Sequence, residues 1–324
     1  MAGLNTYCTL FDQNYLARGL ALHRSLAAHD PRSPLVVLCL DDATHRVLSA
    51  LQPRGVQALP LARLEGEDPE VAATRPGRSA AEYYFTCKSA LMRHVLDRNP
   101  GAGRVTYLDS DLYYFNDPAP LAAEIEGSSV ALTPHRFPAH LADWAQYGEF
   151  NAGWVSVAAD AEGRAFLDWW RASCIASCSL SLRGERFADQ GYLNAVPRRY
   201  PRARVVSHAG ANVGPWRIGR HRLGASEGRV TLDGAPLVCY HFHFLRRIFW
   251  RLYDTGLRPY GARVTPEIRD LLYRPYLRDV RDAARQAGAV QRADCERAQF
   301  PGGVRAALRA AVALARFRHV VVAP

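Results

Sequence analysis

Lysine is almost missing from this chain of 324 residues: Lys88 stands alone among 41 Lys and Arg side chains. Basic charge is carried by arginine throughout, so an arginine count marks a compositional bias more than a binding surface. Long apolar runs are missing too. No stretch approaches the roughly 20 consecutive apolar residues that cross a bilayer. The first residues lack a basic segment followed by an apolar core, which argues against a secretory signal, and Leu4 onward alternates like a strand. No repeat of solenoid period is visible. Cysteines are few and odd in number, at positions 8, 39, 87, 174, 178, 239 and 295. Several lie in apolar strand-like runs, which reads as reduced core thiols in a cytosolic protein. Cys174 and Cys178 are one helical turn apart, with no second Cys/His pair at zinc-site spacing, so a zinc site is not expected.

What is present is ordinary for a globular chain: 48% hydrophobic and 22% charged residues. The length suits one large domain or two medium ones. The net charge of +10 is uneven, because residues 246–324 hold 16 Arg against 7 Asp/Glu. Basicity therefore belongs to the C-terminal part.

In chain order, residues 3–10 read as a strand and Phe11–Tyr15 as a turn, with Asn14 a cap for the helix that follows. Pro34–Leu40 is a continuous apolar run of the kind found in central parallel strands. Helix 43–52, strand 56–61 and a polar, mobile loop over 63–79 come next. A helix from Ala80 to Leu96 leads into a strand ending near Leu108. This alternation predicts an α/β fold with a mixed, mostly parallel central sheet flanked by helices. Further along, a helix over 118–126, a strand over Ser128–Thr133 and a loop over Pro134–Tyr147 precede a strand whose alternation resumes at Trp154. Gly153 allows a close approach to the backbone there. A helix over 162–174 and a short one over Phe187–Asn194 follow. Val230–Leu232 and Leu237–Tyr240 read as a hairpin around Asp233-Gly234.

The strand over residues 104–108 ends abruptly in Asp109-Ser110-Asp111. On extended backbone, residues two apart share a side. Both carboxylates can then reach one hard divalent cation, Mn²⁺ or Mg²⁺, which takes a few protein oxygens and leaves its other positions to water and phosphate. The strand's carboxyl end is also where open α/β sheets bind ligands.

Five pieces occur in one order: a first strand followed by Asp12-Gln-Asn-Tyr15; Tyr107-Leu-Asp-Ser-Asp111; Phe150-Asn-Ala-Gly153; Asp189-Gln190 followed by Leu193-Asn194; and a late strand ending in His241. In this the chain resembles the GT-A-type nucleotide-sugar glycosyltransferases, especially glycosyltransferase family 8 and related bacterial transferases of surface-polysaccharide loci. The resemblance implies a GT-A (Rossmann-like) catalytic domain over residues 1–245, and the basic residues 246–324 form a mainly helical C-terminal extension. It implies metal ligation by Asp109, Asp111 and His241, with His243 as the alternative. It implies a nucleotide-sugar site drawn from Thr9, Phe11, Asn14, Tyr15, Lys88, Asp109, Ser110 and Gly153, and catalytic contacts to the transferred sugar from Asn151, Asp189 and Gln190. Thr86, His135 and Trp216 are secondary candidates. The family usually follows its histidine with x-x-Gly and then Lys-Pro-Trp. Here residue 244 is Phe and Arg246-Arg247 follow, a departure in which Arg246 or Arg247 is the candidate for the missing positive charge at the diphosphate.

The expected activity is metal-dependent transfer of a sugar from a nucleoside-diphosphate sugar, UDP-sugar first, to a hydroxyl of a glycan or lipid-linked acceptor, with retention of configuration. A cytoplasmic location is expected. The basic amphipathic segments Leu271–Ala289 and 304–318 offer peripheral contact with the inner face of the membrane. A sugar-phosphate nucleotidyltransferase is the nearest alternative, but residues 9–16 lack the glycines of a triphosphate loop. A glycosidase fits less well, because its two carboxyls flank the bond about 5 Å or more apart. Nucleic-acid binding would rest on the basic tail without any recognisable module, and is not expected.

Overall fold

The computed structural model describes residues 4–184, 186–291, 312 and 319–324. Among these the chain forms two compact units. Described residues within Met1–Asp12, Asp30–Ser110 and Pro118–His208 make up the first, and those within Gln13–His29, Asp111–Asp117 and Ala209–Pro324 the second.

The first unit is built on one sheet. Its strands are β1 (Leu4–Phe11), β2 (Leu35–Cys39), β3 (Val56–Pro60), β4 (Ala102–Leu108), and, beyond the short β5 (Leu112–Tyr114) of the second unit, β6 (Val130–Pro134), β7 (Phe150–Ala158) and β8 (Ala203–Val205). The order across the sheet is β3-β2-β1-β4-β7-β6-β8. The run from β3 to β4 is parallel, β7 is antiparallel to both β4 and β6, and β8 returns parallel to β6. The mixed, mostly parallel sheet expected from strand–helix alternation is thus present. Every residue of β2 is buried, as its unbroken apolar run requires. All but the last residue of β7 are buried as well, so Trp154 does not begin a half-exposed alternation: the strand is covered on both faces.

Helix Ala80–Arg98 and helix Ala161–Ala176 bury Leu91, Val95, Phe166 and Trp170 in one apolar cluster with Val105, Tyr107, Val155 and Val157 of the central strands. Residues 63–79, expected as a loop, are largely helical: Leu61–Glu67, Pro69–Ala73 and a 3₁₀ turn at Arg75–Gly77. Leu64 and Val71 are fully buried, and Asp68 caps the second of these helices through Val71 N. The polar composition hid two apolar anchors one helix apart.

In the second unit, helix Leu16–His29 packs against β5 and against helix Arg274–Gln291. The Arg24 guanidinium donates to Asp279 O (3.2 Å) and Gln286 Oε1 (2.7 Å) across that helix pair. The C-terminal helix over Leu271–Ala289 is therefore docked, with Tyr276, Leu277, Val280, Ala283 and Ala287 buried. The amphipathic segment read over 304–318 lies outside the described residues apart from residue 312. Asp233 and Gly234 both have positive φ (53° and 86°), the geometry of a tight hairpin turn. That hairpin is shorter than the sequence suggests. Leu232 pairs with Ala235 and Thr231 with Pro236, whereas strand Cys239–His241 leaves to pair antiparallel with β5. Among the described residues no helix is long and apolar enough to cross a membrane.

Candidate metal and nucleotide-sugar site

β4 is held between β1 and β7, and its register places Leu108 opposite Trp154. The next amide, Asp109 N, donates to Gly153 O at 2.8 Å. Gly153 is where the sequence suggested a close backbone approach, and its own N–H donates to Asn151 Oδ1 at 3.0 Å. Tyr107 and Asp109 share the core-facing side of the strand, and the Tyr107 hydroxyl donates to Asp109 Oδ1 at 2.9 Å.

Helix Ala80–Arg98 lies over this face. Its buried Lys88 places Nζ 3.0 Å from Asp109 Oδ1 and 3.2 Å from Asp189 Oδ2. The ammonium also sits over the rings of Phe85 and Tyr107, at 5.0 and 4.9 Å from their centroids. Burial works against its charge, but Asp109 and Asp189 together hold it protonated well above the ordinary lysine range. Asp189 is almost completely enclosed, and burial is the main cause that lifts its carboxyl above the usual range, with Lys88 opposing. One buried ammonium is thus shared between two carboxylates, so neither is left without a counter-charge.

Asp111 starts the neighbouring segment. Strand Cys239–His241 sets His241 opposite Leu112, one residue beyond Asp111. His241 Nε2 lies 3.0 Å from Asp111 Oδ1, and Phe242 N donates to Asp111 O at 2.9 Å. Burial alone would raise the Asp111 carboxyl; the charges of His241, Arg18 and His243 pull it well below the usual carboxylate range. One ligand atom each from Asp109, Asp111 and His241 lies within 4.8 Å of the others. Two carboxylate oxygens and one imidazole nitrogen form a donor set that suits a hard divalent cation. His243 is not one of the three; its ring lies 5.6 Å from that of His241 and edges onto Trp216.

Asn151, buried on β7, approaches His135 Nε2 through Nδ2 at 3.1 Å, and His135 Nδ1 faces Glu149 O. Gln190 accepts from Ala152 N at 3.1 Å and donates to Tyr147 O at 2.9 Å. Asn151, Asp189 and Gln190 therefore do fall together, around the β7 start. Thr9 and Phe11 are buried in β1, Ser110 is buried beside Asp109, and Tyr15 is partly exposed beneath the Arg18 guanidinium.

The role of Lys88 as the shared counter-ion of two carboxylates is what sequence reasoning missed. A signal was available: between Glu82 and Arg93 it is the sole charge in an otherwise uncharged helical stretch. Arg18 was missed outright.

The fold is that of the GT-A glycosyltransferases. An active-site mutant of LgtC matches with a TM-score of 0.51 at 16% identity, covering 82% of this chain and 100% of that one. The galactosyltransferase LgtC in complex with donor and acceptor sugar analogues gives 0.48 at 13% identity, over 88% of this chain and 95% of that one. By sequence, the uncharacterized protein YfnF of Bacillus subtilis (strain 168) is 34% identical over 246 residues, 74% of this chain and 80% of YfnF. The uncharacterized YfnD of the same organism is 31% identical over 239 residues, 73% of this chain and 76% of YfnD. The chain belongs to the protein family of YfnF and YfnD. No family model matches it.

Proposed function

We propose that this chain is a metal-dependent glycosyltransferase that moves a sugar from a nucleoside-diphosphate sugar to a hydroxyl acceptor. The observation that carries the reading is the Asp109–Asp111–His241 donor set at the end of a central strand in a GT-A fold. A divalent cation bound there supplies charge stabilisation for a departing diphosphate. The aspartates act as ligands and not as an acid–base pair. Lys88, 3.0 Å from Asp109 Oδ1, holds that carboxylate in place for the task. Asn151, Asp189 and Gln190 are assigned to the sugar's side of the site, with Gln190 tying the β7 start to the Tyr147 segment. The donor is proposed to be a UDP-sugar, the cation Mn²⁺ or Mg²⁺, the outcome retention, and the setting bacterial glycan or glycolipid synthesis.

A thermal-shift panel of UDP-, GDP-, CMP- and TDP-sugars, each with and without Mn²⁺, tests the reading. A shift that needs both the metal and one donor class is expected, and Asp111→Asn should remove it together with transfer while leaving the fold intact. Donor-dependent shifts that persist in EDTA, or full turnover by Asp111→Asn with metal present, would refute it.

A further inference from the structure

Helix Leu16–His29 is docked on β5 with a fixed register: the Tyr114 amide donates to Ser25 Oγ at 3.0 Å. Arg18 lies seven residues before Ser25, two helical turns or about 10 Å. Asp111 lies three residues before Tyr114, about 10 Å of extended chain. A chain of hydrogen bonds through Leu245 and Phe242 connects Arg18 to Asp111, and the Arg18 charge is among those acting on that carboxylate. Arg18 is itself buried. Its Nη2 donates to Leu245 O at 2.8 Å, Leu245 N donates to Phe242 O at 3.1 Å, and Phe242 N donates to Asp111 O. Its guanidinium lies 4.8 Å from the Tyr15 ring centroid. A cation that never deprotonates is therefore built into the wall behind one metal ligand and bonded to the segment that follows another.

Such a residue is odd for a site whose only task is to hold a divalent cation. It repels that cation, and it compensates the charge of Asp111 in advance. The arrangement makes sense when an anion arrives as well. We propose that Arg18 sets the charge of this site so that a divalent cation binds strongly only together with a diphosphate, taking over the positive charge that the segment after His241 does not supply through lysine. This inference rests on the glycosyltransferase reading of the same site. It predicts effects of opposite sign on the two ligands, which a purely structural arginine does not produce.

The test uses the full chain, Mn²⁺ alone, and inorganic pyrophosphate at saturating Mn²⁺, all by titration calorimetry. Arg18→Gln keeps a donor for the Leu245 carbonyl and removes the charge; Arg18→Lys keeps the charge. Arg18→Gln should bind Mn²⁺ alone more tightly, by about tenfold, and pyrophosphate more weakly by a similar factor. Arg18→Lys should restore both towards wild type. Losing both ligands in parallel in Arg18→Gln, or an Arg18→Lys variant that follows Arg18→Gln, overturns the inference while the wild-type data still support the site. A wild-type chain that binds neither Mn²⁺ nor pyrophosphate overturns the glycosyltransferase reading itself. If Arg18→Gln does not fold, Arg18→Lys decides: a folded variant with wild-type binding of both ligands supports the charge role, and a folded variant with weakened binding of both overturns it.

Discussion

Lys88 concentrates the energetics of the site into one side chain. Its ammonium lies within 3.2 Å of both Asp109 and Asp189, and the enclosed Asp189 would otherwise be costly to keep ionised. Replacing it by methionine keeps the stem and removes the charge. Lys88→Met should then lose about 3–5 kcal/mol in urea unfolding, the usual penalty of orphaning a buried carboxylate; wild-type stability would show that the pair is not structural. The residues nearest the proposed chemistry differ in how visible they were. Asp109 and Asp111 were legible through the order of motifs around them, because Asp-x-Asp after a strand taken alone reads as a turn. His241 was legible only through the order of motifs. Lys88 and Arg18 were not, since a sequence does not say whether a long cationic side chain points to solvent or folds back onto a carboxylate.

Helix Ala80–Arg98 is the element that delivers Lys88, and it is fixed at its start by a capping box. Ser79 Oγ accepts from Glu82 N, and Glu82 Oε2 accepts from Ser79 N (3.0 Å) and from its hydroxyl (2.7 Å). Glu82 Oε1 also takes the Leu180 amide at 3.0 Å. The Ser79 hydroxyl first, then the backbone amides of Ser79 and Leu180, bring the Glu82 carboxyl down to about 2. A carboxyl lowered on folding contributes stability at neutral pH, and that contribution fades as pH falls from about 4.5, where the unfolded chain titrates, towards 2. Glu82→Gln should therefore melt lower than wild type at pH 7, with the gap closing by pH 2–3 in a thermal-melt series. A gap independent of pH would place the effect elsewhere. Ser79→Ala should cost about 1 kcal/mol at neutral pH. This helix was plain in the sequence because cap, apolar face and length agree. The helices over 61–73 were not, because they are short and their polar faces dominate the composition. The partner of strand Cys239–His241 was not visible either: a turn signal such as Asp233-Gly234 names the next strand, not how many residues of it stay paired.

At the scale of the whole molecule, the end of the chain is knitted back into the structure. Strand Val320–Val322 pairs antiparallel with Leu252–Asp254, Thr255 donates from N and Oγ1 to His319 O, and Ala323 N donates to Arg251 O. A chain ending at residue 318 should show faster hydrogen exchange at residues 252–255; unchanged protection would mean the strand adds no stability there. The basic, amphipathic composition of the tail is compatible with a membrane surface or with a docked helix, and helix Arg274–Gln291 buries its apolar face against helix Leu16–His29. Local periodicity and the order of motifs were enough to specify strands, most helices, the α/β class and the two aspartates, because those features depend on neighbours a few residues away. Which cations stand behind those aspartates, which strand receives His241 and where the tail docks were decided only by the tertiary structure. Each depends on contacts between residues tens to hundreds of positions apart, and no local pattern encodes them.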